Sequence, residues 1–422
     1  MKMNKGSFKS NVLTLMTGTA IAQLMTVAIS PVLTRFFSPA SFGVYGVYLS
    51  IVSIATAIVT LRYDQALVLP KESKDAVHLF WASMLSVAGI SGLSLVICIL
   101  FFKQIPMILK APELSRWIFF IPISILLAGI YQTLNSWSTR CKKFKRASIS
   151  QVTRSATAAS VQVSSGLAHT GPAGLIGGYI LGDFFASVSL AFQVRRDDKK
   201  ILKEGFEWYS IKRLGKQYSD FPVFSSTQNL LNAISQNIPF LLLAKFFGPA
   251  IVGYYTLGVR VLQVPMNFVL VSLRQVLFQK ASEVYNSGGD TYGLFKKTTL
   301  GLMGIVIIPA LLIILFGPAI FSFLLGKEWV MAGVFAKWLV LWLMLMFSNL
   351  PSILFGQIYR KQKVLLFQDI GLLFFRVLAI LIGGFQNNPM LAIVLYSIVG
   401  VIFNLYIIVW AGNFIRKQKS PA

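Results

Sequence analysis

Apolar runs of about 20 residues recur along the whole chain, separated by short polar segments, and none shows the two-residue alternation of a half-buried strand. They predict membrane-spanning helices at 11–34, 44–68, 77–102, 116–137, 148–169, 172–194, 223–246, 250–277, 298–323, 330–358, 364–384 and 389–412. Hydrocarbon cannot hydrogen-bond a backbone, so only helices and closed barrels cross it, and runs of this length select helices. The pattern therefore predicts an all-α integral membrane protein of twelve transmembrane helices. Turns such as His169-Thr170-Gly171-Pro172 and Phe247-Gly248-Pro249 are short enough to close antiparallel helix hairpins. The first run follows Met1-Lys2-Met3-Asn4-Lys5, lacks a small-residue cleavage site and reads as an uncleaved span.

One stretch is written twice. Arg35-Phe36-Phe37-Ser38-Pro39-Ala40-Ser41-Phe42-Gly43-Val44-Tyr45 returns half a chain later as Lys245-Phe246-Phe247-Gly248-Pro249-Ala250-Ile251-Val252-Gly253-Tyr254-Tyr255. Repetition at half the chain length predicts two halves built to one plan. Six spans per half, an even number, give both halves one orientation, so the expectation is two parallel six-helix lobes around a central cavity. The N-terminal lobe is expected over 1–205, the inter-lobe linker over 206–222 and the C-terminal lobe over 223–422.

Composition agrees with the pattern: 55% of residues are hydrophobic and 13% charged, with a mean hydropathy of +0.70. The formal net charge of +25 would suggest nucleic acid in a soluble protein, but here most cations sit in short loops, where topology and anionic lipid account for them. No nucleic-acid partner is expected. One set of loops holds Lys2, Lys5 and Lys9, then Lys71 and Lys74, the Arg140–Arg146 cluster, the Arg195–Lys216 segment, Lys280, Lys296, Lys297, Arg360–Lys363, Arg416, Lys417 and Lys419. The opposite set holds only Arg35, Lys103, Lys110, Arg116, Lys245 and Lys327. Both termini are thus expected to be cytoplasmic, with Arg35 and Lys245 at an outer rim. The Arg195–Asp220 loop mixes cations with Phe206, Trp208 and Tyr209, and reads either as an amphipathic segment on the inner leaflet or as a solvated linker.

Several charges fall inside the spans: Arg62, Arg154, Arg260, Arg274, Lys337 and Arg376, against Asp64, Asp183 and Asp369. A central Arg or Asp costs about 3 kcal/mol even on permissive scales, so each needs a partner, water or a role. Arg274 and Lys337 are placed to snorkel. An interior with more Arg than Asp suits an anionic cargo such as a diphosphate, with Arg62, Arg154, Arg260 and Arg376 as the binding candidates. The alternative is pairing within a span, Arg62 with Asp64 or Arg376 with Asp369. Asp64, Asp183 and Asp369 are candidates for binding a coupling ion.

Other chemistries lack their residues. No Gly-rich loop ends in Gly-Lys-Ser/Thr, and no outer loop carries paired carboxylates or a Ser/His/Asp set, so neither an ATPase nor another enzyme is expected. Cys98, Cys141, His78 and His169 are scattered, which gives no metal site and no cofactor.

Across nearly its whole length the chain resembles the oligosaccharide flippases of the polysaccharide-biosynthesis family, relatives of the multidrug and toxin extrusion carriers. The resemblance is carried by Leu33–Pro39 with Gly43-Val44-Tyr45, Leu61-Arg62-Tyr63-Asp64-Gln65-Ala66-Leu67-Val68-Leu69-Pro70-Lys71, Gly174-Leu175-Ile176-Gly177-Gly178, Tyr218-Ser219-Asp220-Phe221-Pro222, Val252-Gly253-Tyr254-Tyr255, and Leu315-Phe316-Gly317-Pro318 with Gly326 and Trp329. It implies a bacterial inner-membrane carrier that moves an undecaprenyl-diphosphate-linked oligosaccharide outward by alternating access, coupled in at least some members to a proton or sodium gradient. It also implies membrane lipids, a polysaccharide polymerase and a chain-length regulator as partners. Arg62 and Asp64 match a charged motif of the family. Two other readings stand beside this one, a drug or metabolite exporter and a non-transporting scaffold of a polysaccharide assembly complex.

Overall fold

The computed structural model describes residues 5–204 and 206–418, so Lys2, Lys419 and the expected lobe end at 205 lie outside the described residues. Among the described residues there is no strand. The helices are α1 Lys5–Ala28, α2 Ser30–Phe36, α3 Pro39–Thr56, α4 Tyr63–Ala66, α5 Ser73–Leu100, α6 Gln104–Ile108, α7 Phe120–Arg140, α8 Phe144–Leu167 and α9 Pro172–Glu204. They continue with α10 Trp208–Gln217, α11 Ser226–Phe247, α12 Pro249–Asn286, α13 Thr291–Leu325, α14 Val330–Ser348, α15 Leu350–Ile358, α16 Gln362–Phe385 and α17 Pro389–Lys417.

Every expected span coincides with a helix or a broken helix pair. Among the described residues, nine helices are long and apolar enough to cross a membrane. The expected spans outside that set lie on α7, α8 and α12, which carry Gln132 and Asn135, Gln151 and Arg154, and Arg260 and Arg274. The protein is a multi-pass, all-helical membrane protein.

The chain divides into two compact units, Met1–Ala244 and Lys245–Ala422. That division falls inside α11 rather than at 223. Two asparagines tie α11 to the first unit: Asn229 Nδ2 donates to the Ala57 carbonyl at 2.7 Å, and Asn237 Nδ2 donates to Ser53 Oγ at 3.1 Å. The expected linker is likewise part of the first unit, because Leu214 of α10 is buried in a cluster with Phe80, Trp137, Leu190 and Val194. The second unit has its own buried cluster of Ala281, Phe295, Phe355, Ala411 and Ile415.

Much of the basic Arg140–Arg146 cluster is consumed in holding the first unit together. Arg140 Nη1 donates to the Leu67 and Pro70 carbonyls at 3.1 and 2.8 Å, and its Nη2 donates to the Glu72 carbonyl at 3.1 Å, which fastens the segment after α4. Arg146 pairs with Asp198 at 2.7 Å, both of them buried. Lys143 reaches the same carboxylate at 3.2 Å, and Trp137 Nε1 donates to it at 3.2 Å. A buried ion pair is tolerated when its remaining lone pairs are filled, and here they are.

The two copies of the repeated stretch form helix corners, with Pro39 and Pro249 opening α3 and α12. A proline at that position loses no hydrogen bond and has its φ preset. Their caps differ. Ser38 is extended and accepts from the Ser41 N–H at 3.3 Å, whereas Gly248 sits at φ 80°, ψ 178°, a region essentially reserved for glycine. Gly248→Ser, which copies the first corner into the second, is therefore expected to destabilise the protein by about 1–3 kcal/mol. Ser38→Gly is expected to cost only about a few tenths. Thermal unfolding of the two purified variants in detergent, followed by loss of the monodisperse chromatographic peak, checks the order.

Candidate functional site

In the first unit the polar face of α8 meets α9 where α9 is stripped of side chains. A Cβ added at Gly182 would lie 2.8 Å from the Arg154 carbonyl, and one at Gly178 would lie 2.9 Å from that of Ala158. This close approach brings Asp183, the next residue of α9, onto Arg154, and the two form an ion pair. The pair is lopsided: the Asp183 side chain is 1% exposed, and that of Arg154 is 36% exposed. Tyr131 of α7 and Tyr179 of α9 each hold a ring 5.6 Å from the guanidinium carbon, within cation–π range. Asp183 is thus sealed behind a clamped arginine that keeps an open side.

Arg62 and Asp64 stand where the span begun by α3 breaks. Leu61 and Arg62 have φ of 47° and 62°, a left-handed kink before the single turn of α4. The kink turns Asp64 inward, where it is buried and accepts from Thr60 Oγ1 at 2.6 Å, Gln132 Nε2 at 3.2 Å and Ser136 Oγ at 3.4 Å. All three donors are neutral. No Arg62–Asp64 ion pair forms among the described residues, so the pairing alternative does not hold here. Arg62 is half-buried, and its Nε is sealed from solvent with no hydrogen-bond partner among the described residues.

In the second unit Arg376 of α16 is 8% exposed, with Trp342 of α14 and Tyr396 of α17 placed 4.3 and 4.4 Å from its guanidinium carbon. Its Nη2 lies over Gly400, where a Cβ would come within 2.8 Å. Among the described residues neither Nε nor Nη2 of Arg376 has a hydrogen-bond partner. The Tyr255 hydroxyl donates to that of Tyr396 at 3.3 Å, and further along α17 Asn404 Nδ2 donates to the Gly400 carbonyl at 2.7 Å. Asp369 is exposed on the same α16, and seven residues of helix separate it from Arg376 by about 10 Å, so the second proposed pair is not formed either.

Arg260 is half-buried on α12, while Arg274, Arg35 and Lys245 are exposed. Lys245 lies 5.9 Å from the ring of its neighbour Phe246. Among the described residues no cluster of His, Cys, Asp or Glu could hold a metal ion. The aromatic rings and neutral donors around the charges escaped the reading of the sequence, although Gln132 with Ser136 and Tyr179 with Asp183 are each four residues apart on one helix face. Trp342 and Tyr396 carried no such signal.

The profile of the family described as polysaccharide biosynthesis protein matches residues 32–333, most of the chain. The chain belongs to that family. It is 23% identical over 310 residues to the lipopolysaccharide biosynthesis protein WzxC of Escherichia coli (strain K12), covering 71% of this chain and 59% of that protein. The chain thus spans less than two thirds of this curated relative. Its fold is similar to that of the lipid II flippase MurJ in an inward closed conformation, at a TM-score of 0.74 and 12% identity, covering 96% of this chain and 90% of that one. It is also similar to an inward-facing multidrug resistance transporter of the MATE family, at a TM-score of 0.69 and 14% identity over 96% of both chains. At these identities the likeness is one of fold.

Removing one partner of the Arg154–Asp183 pair leaves a buried charge uncompensated. Arg154→Met is expected to cost about 3 kcal/mol, and adding Asp183→Asn is expected to restore more than about 1 kcal/mol of it. Thermal unfolding of both single variants and the double variant measures the coupling, and strictly additive losses would show that the pair contributes nothing as a pair.

Proposed function

We propose that this protein is a flippase that moves an undecaprenyl-diphosphate-linked oligosaccharide across the bacterial inner membrane for surface polysaccharide synthesis, working by alternating access of two parallel six-span lobes with both termini cytoplasmic. The observation that carries this reading is the unspent hydrogen-bonding capacity of Arg62 and Arg376, whose sealed N–H groups have no acceptor among the described residues. An oxyanion such as a diphosphate supplies several strong acceptors, and charge-assisted bonds to guanidinium are the ones that repay desolvation. Arg154 offers a further open guanidinium face in the first unit, and Arg260 of the second unit is the fourth candidate. Membership of the family and the likeness to a lipopolysaccharide biosynthesis protein support the same cargo class.

In this reading Asp64, Asp183 and Asp369 are the candidates for coupling to a proton or sodium gradient. Asp64 is the strongest, a buried carboxylate that only neutral donors hold and that can therefore gain a cation without first losing one. Arg35 and Lys245, each exposed at a helix corner of its own unit, are the outer-face cations of this reading, and the polymerase and chain-length regulator of the pathway receive the product. A drug exporter with cationic cargo is disfavoured, since arginines that form no ion pair among the described residues repel such cargo. A scaffold has no use for them.

The test is complementation of surface polysaccharide in a strain lacking the native gene. Arg62→Gln, Arg376→Gln and the double Arg260→Ala/Arg376→Ala variant are expected to lower surface polysaccharide at least about tenfold, the loss of one charge-assisted bond, with lipid-linked precursor accumulating at normal membrane levels of the protein. Arg376→Lys, which keeps the charge, is expected to retain part of the activity. Normal polysaccharide from a properly inserted double variant overturns the cationic-site reading.

A further inference from the structure

The segment joining α9 to α11 is not a free linker. Its ten-residue helix α10 packs Ser210, Ile211 and Leu214 inward, and Leu214 shares a buried cluster with Ala76, Val77 and Phe80 at the start of α5. The Tyr63 hydroxyl donates to the Gly215 carbonyl at 3.0 Å, Trp81 Nε1 donates to the Leu202 carbonyl at 3.3 Å, and the Trp81 ring meets Phe206 edge-on at 5.2 Å. These contacts fix the rotation of α10 about its axis. At 100° per residue, the opposite face collects Trp208, Lys212, Lys216, Tyr209 and Arg213, all exposed. Trp208 and Tyr209 are 63% and 73% exposed.

Among the described residues the cations of this face have no salt-bridge partner. The neighbouring carboxylates Asp197 and Asp198 are engaged by Lys143, Arg146 and Arg196, and Glu207 accepts from Ser210 Oγ at 2.8 Å. Among the described residues Lys212, Arg213 and Lys216 form no ion pair. α10 rests on the first turns of α5, one of the helices long and apolar enough to cross a membrane, and the end of a span is where hydrocarbon gives way to headgroups. Large aromatics beside lysine and arginine at that depth match the layered chemistry of the interface, rings at the glycerol level and cations at the phosphates.

We infer that the outer face of α10 is a binding surface for anionic phospholipid headgroups, with Trp208 and Tyr209 seated in the interface and Lys212, Arg213 and Lys216 on the phosphates. The apolar side that a free amphipathic helix would bury in lipid is committed to the protein, so selectivity for anionic lipid rests on the cations. This surface depends on residence in a membrane and not on the cargo. It also joins the bilayer to the break in the first unit, because α10 holds Tyr63 directly after the left-handed Arg62.

The experiment uses the full-length protein in nanodiscs that contain a minority of acyl-brominated phosphatidylglycerol in unlabelled phosphatidylcholine, or equally little brominated phosphatidylcholine in the same mixture. The fluorescence lost on Trp208→Phe defines the Trp208 signal. Brominated phosphatidylglycerol is expected to quench it about fivefold more strongly than brominated phosphatidylcholine, the factor one membrane-proximal cation supplies. Lys212→Gln/Arg213→Gln/Lys216→Gln is expected to bring the two lipids to parity, and Lys212→Arg/Arg213→Lys/Lys216→Arg is expected to keep the preference. Equal quenching by both lipids in the unaltered protein overturns the inference, and so does absence of quenching by either, which places the face in water or against another protein.

Discussion

A charge inside hydrocarbon must be neutralised, solvated or used, and the interior of this protein is arranged around that constraint. The Arg154–Asp183 pair shows one solution. Asp183 is almost wholly sealed, its partner is clamped between two tyrosine rings, and the glycines of α9 let the two helices approach closely enough to bring the charges together. Asp64 shows a second, in which three neutral donors from α7 and the span break replace a counter-ion. Arg376 shows a third, where two aromatic faces offset the charge and leave directional N–H groups unspent.

These solutions differ in what they leave available. A sealed carboxylate with a fixed partner is a structural element first, whereas a guanidinium held by ring faces keeps its hydrogen-bonding edge for a ligand. The second type is the one that suits an oxyanion. The same accounting at the membrane boundary separates two kinds of basic residue. Arg140, Lys143 and Arg146 are spent on carbonyls and carboxylates of the first unit. Those on the outer face of α10 are not.

The repeated stretch shows how one sequence plan is met by different local chemistry. Both copies place a proline at the first helical position, yet one corner is held by a serine cap in extended backbone and the other by a glycine conformation that serine does not readily adopt. The repeat preserves the direction of the chain at the corner, not the interaction that holds it.

The sequence by itself determined the class of the protein. Runs of apolar residues, few charges and cations gathered in loops leave no other medium than the bilayer, and each expected span coincides with a helix or a broken helix pair because the backbone must satisfy itself there. It also marked which charges lie inside the spans, since those are read directly from position. The partners of those charges were a tertiary decision. Arg62 and Asp64 look paired at a spacing of two, but a left-handed kink at Leu61 and Arg62 sends one carboxylate to Gln132 and Ser136 and leaves the arginine apart. Arg376 and Asp369 look alike on one helix, but a helix rises too far in seven residues for them to touch. The ring pairs around Arg154 and Arg376 come from other helices than the arginines' own, and two asparagine hydrogen bonds that hydropathy does not register tie α11 to the first unit. Hydrophobicity is additive along a chain and so is legible in one dimension, whereas which charge meets which partner depends on helix rotation and register, which only packing sets.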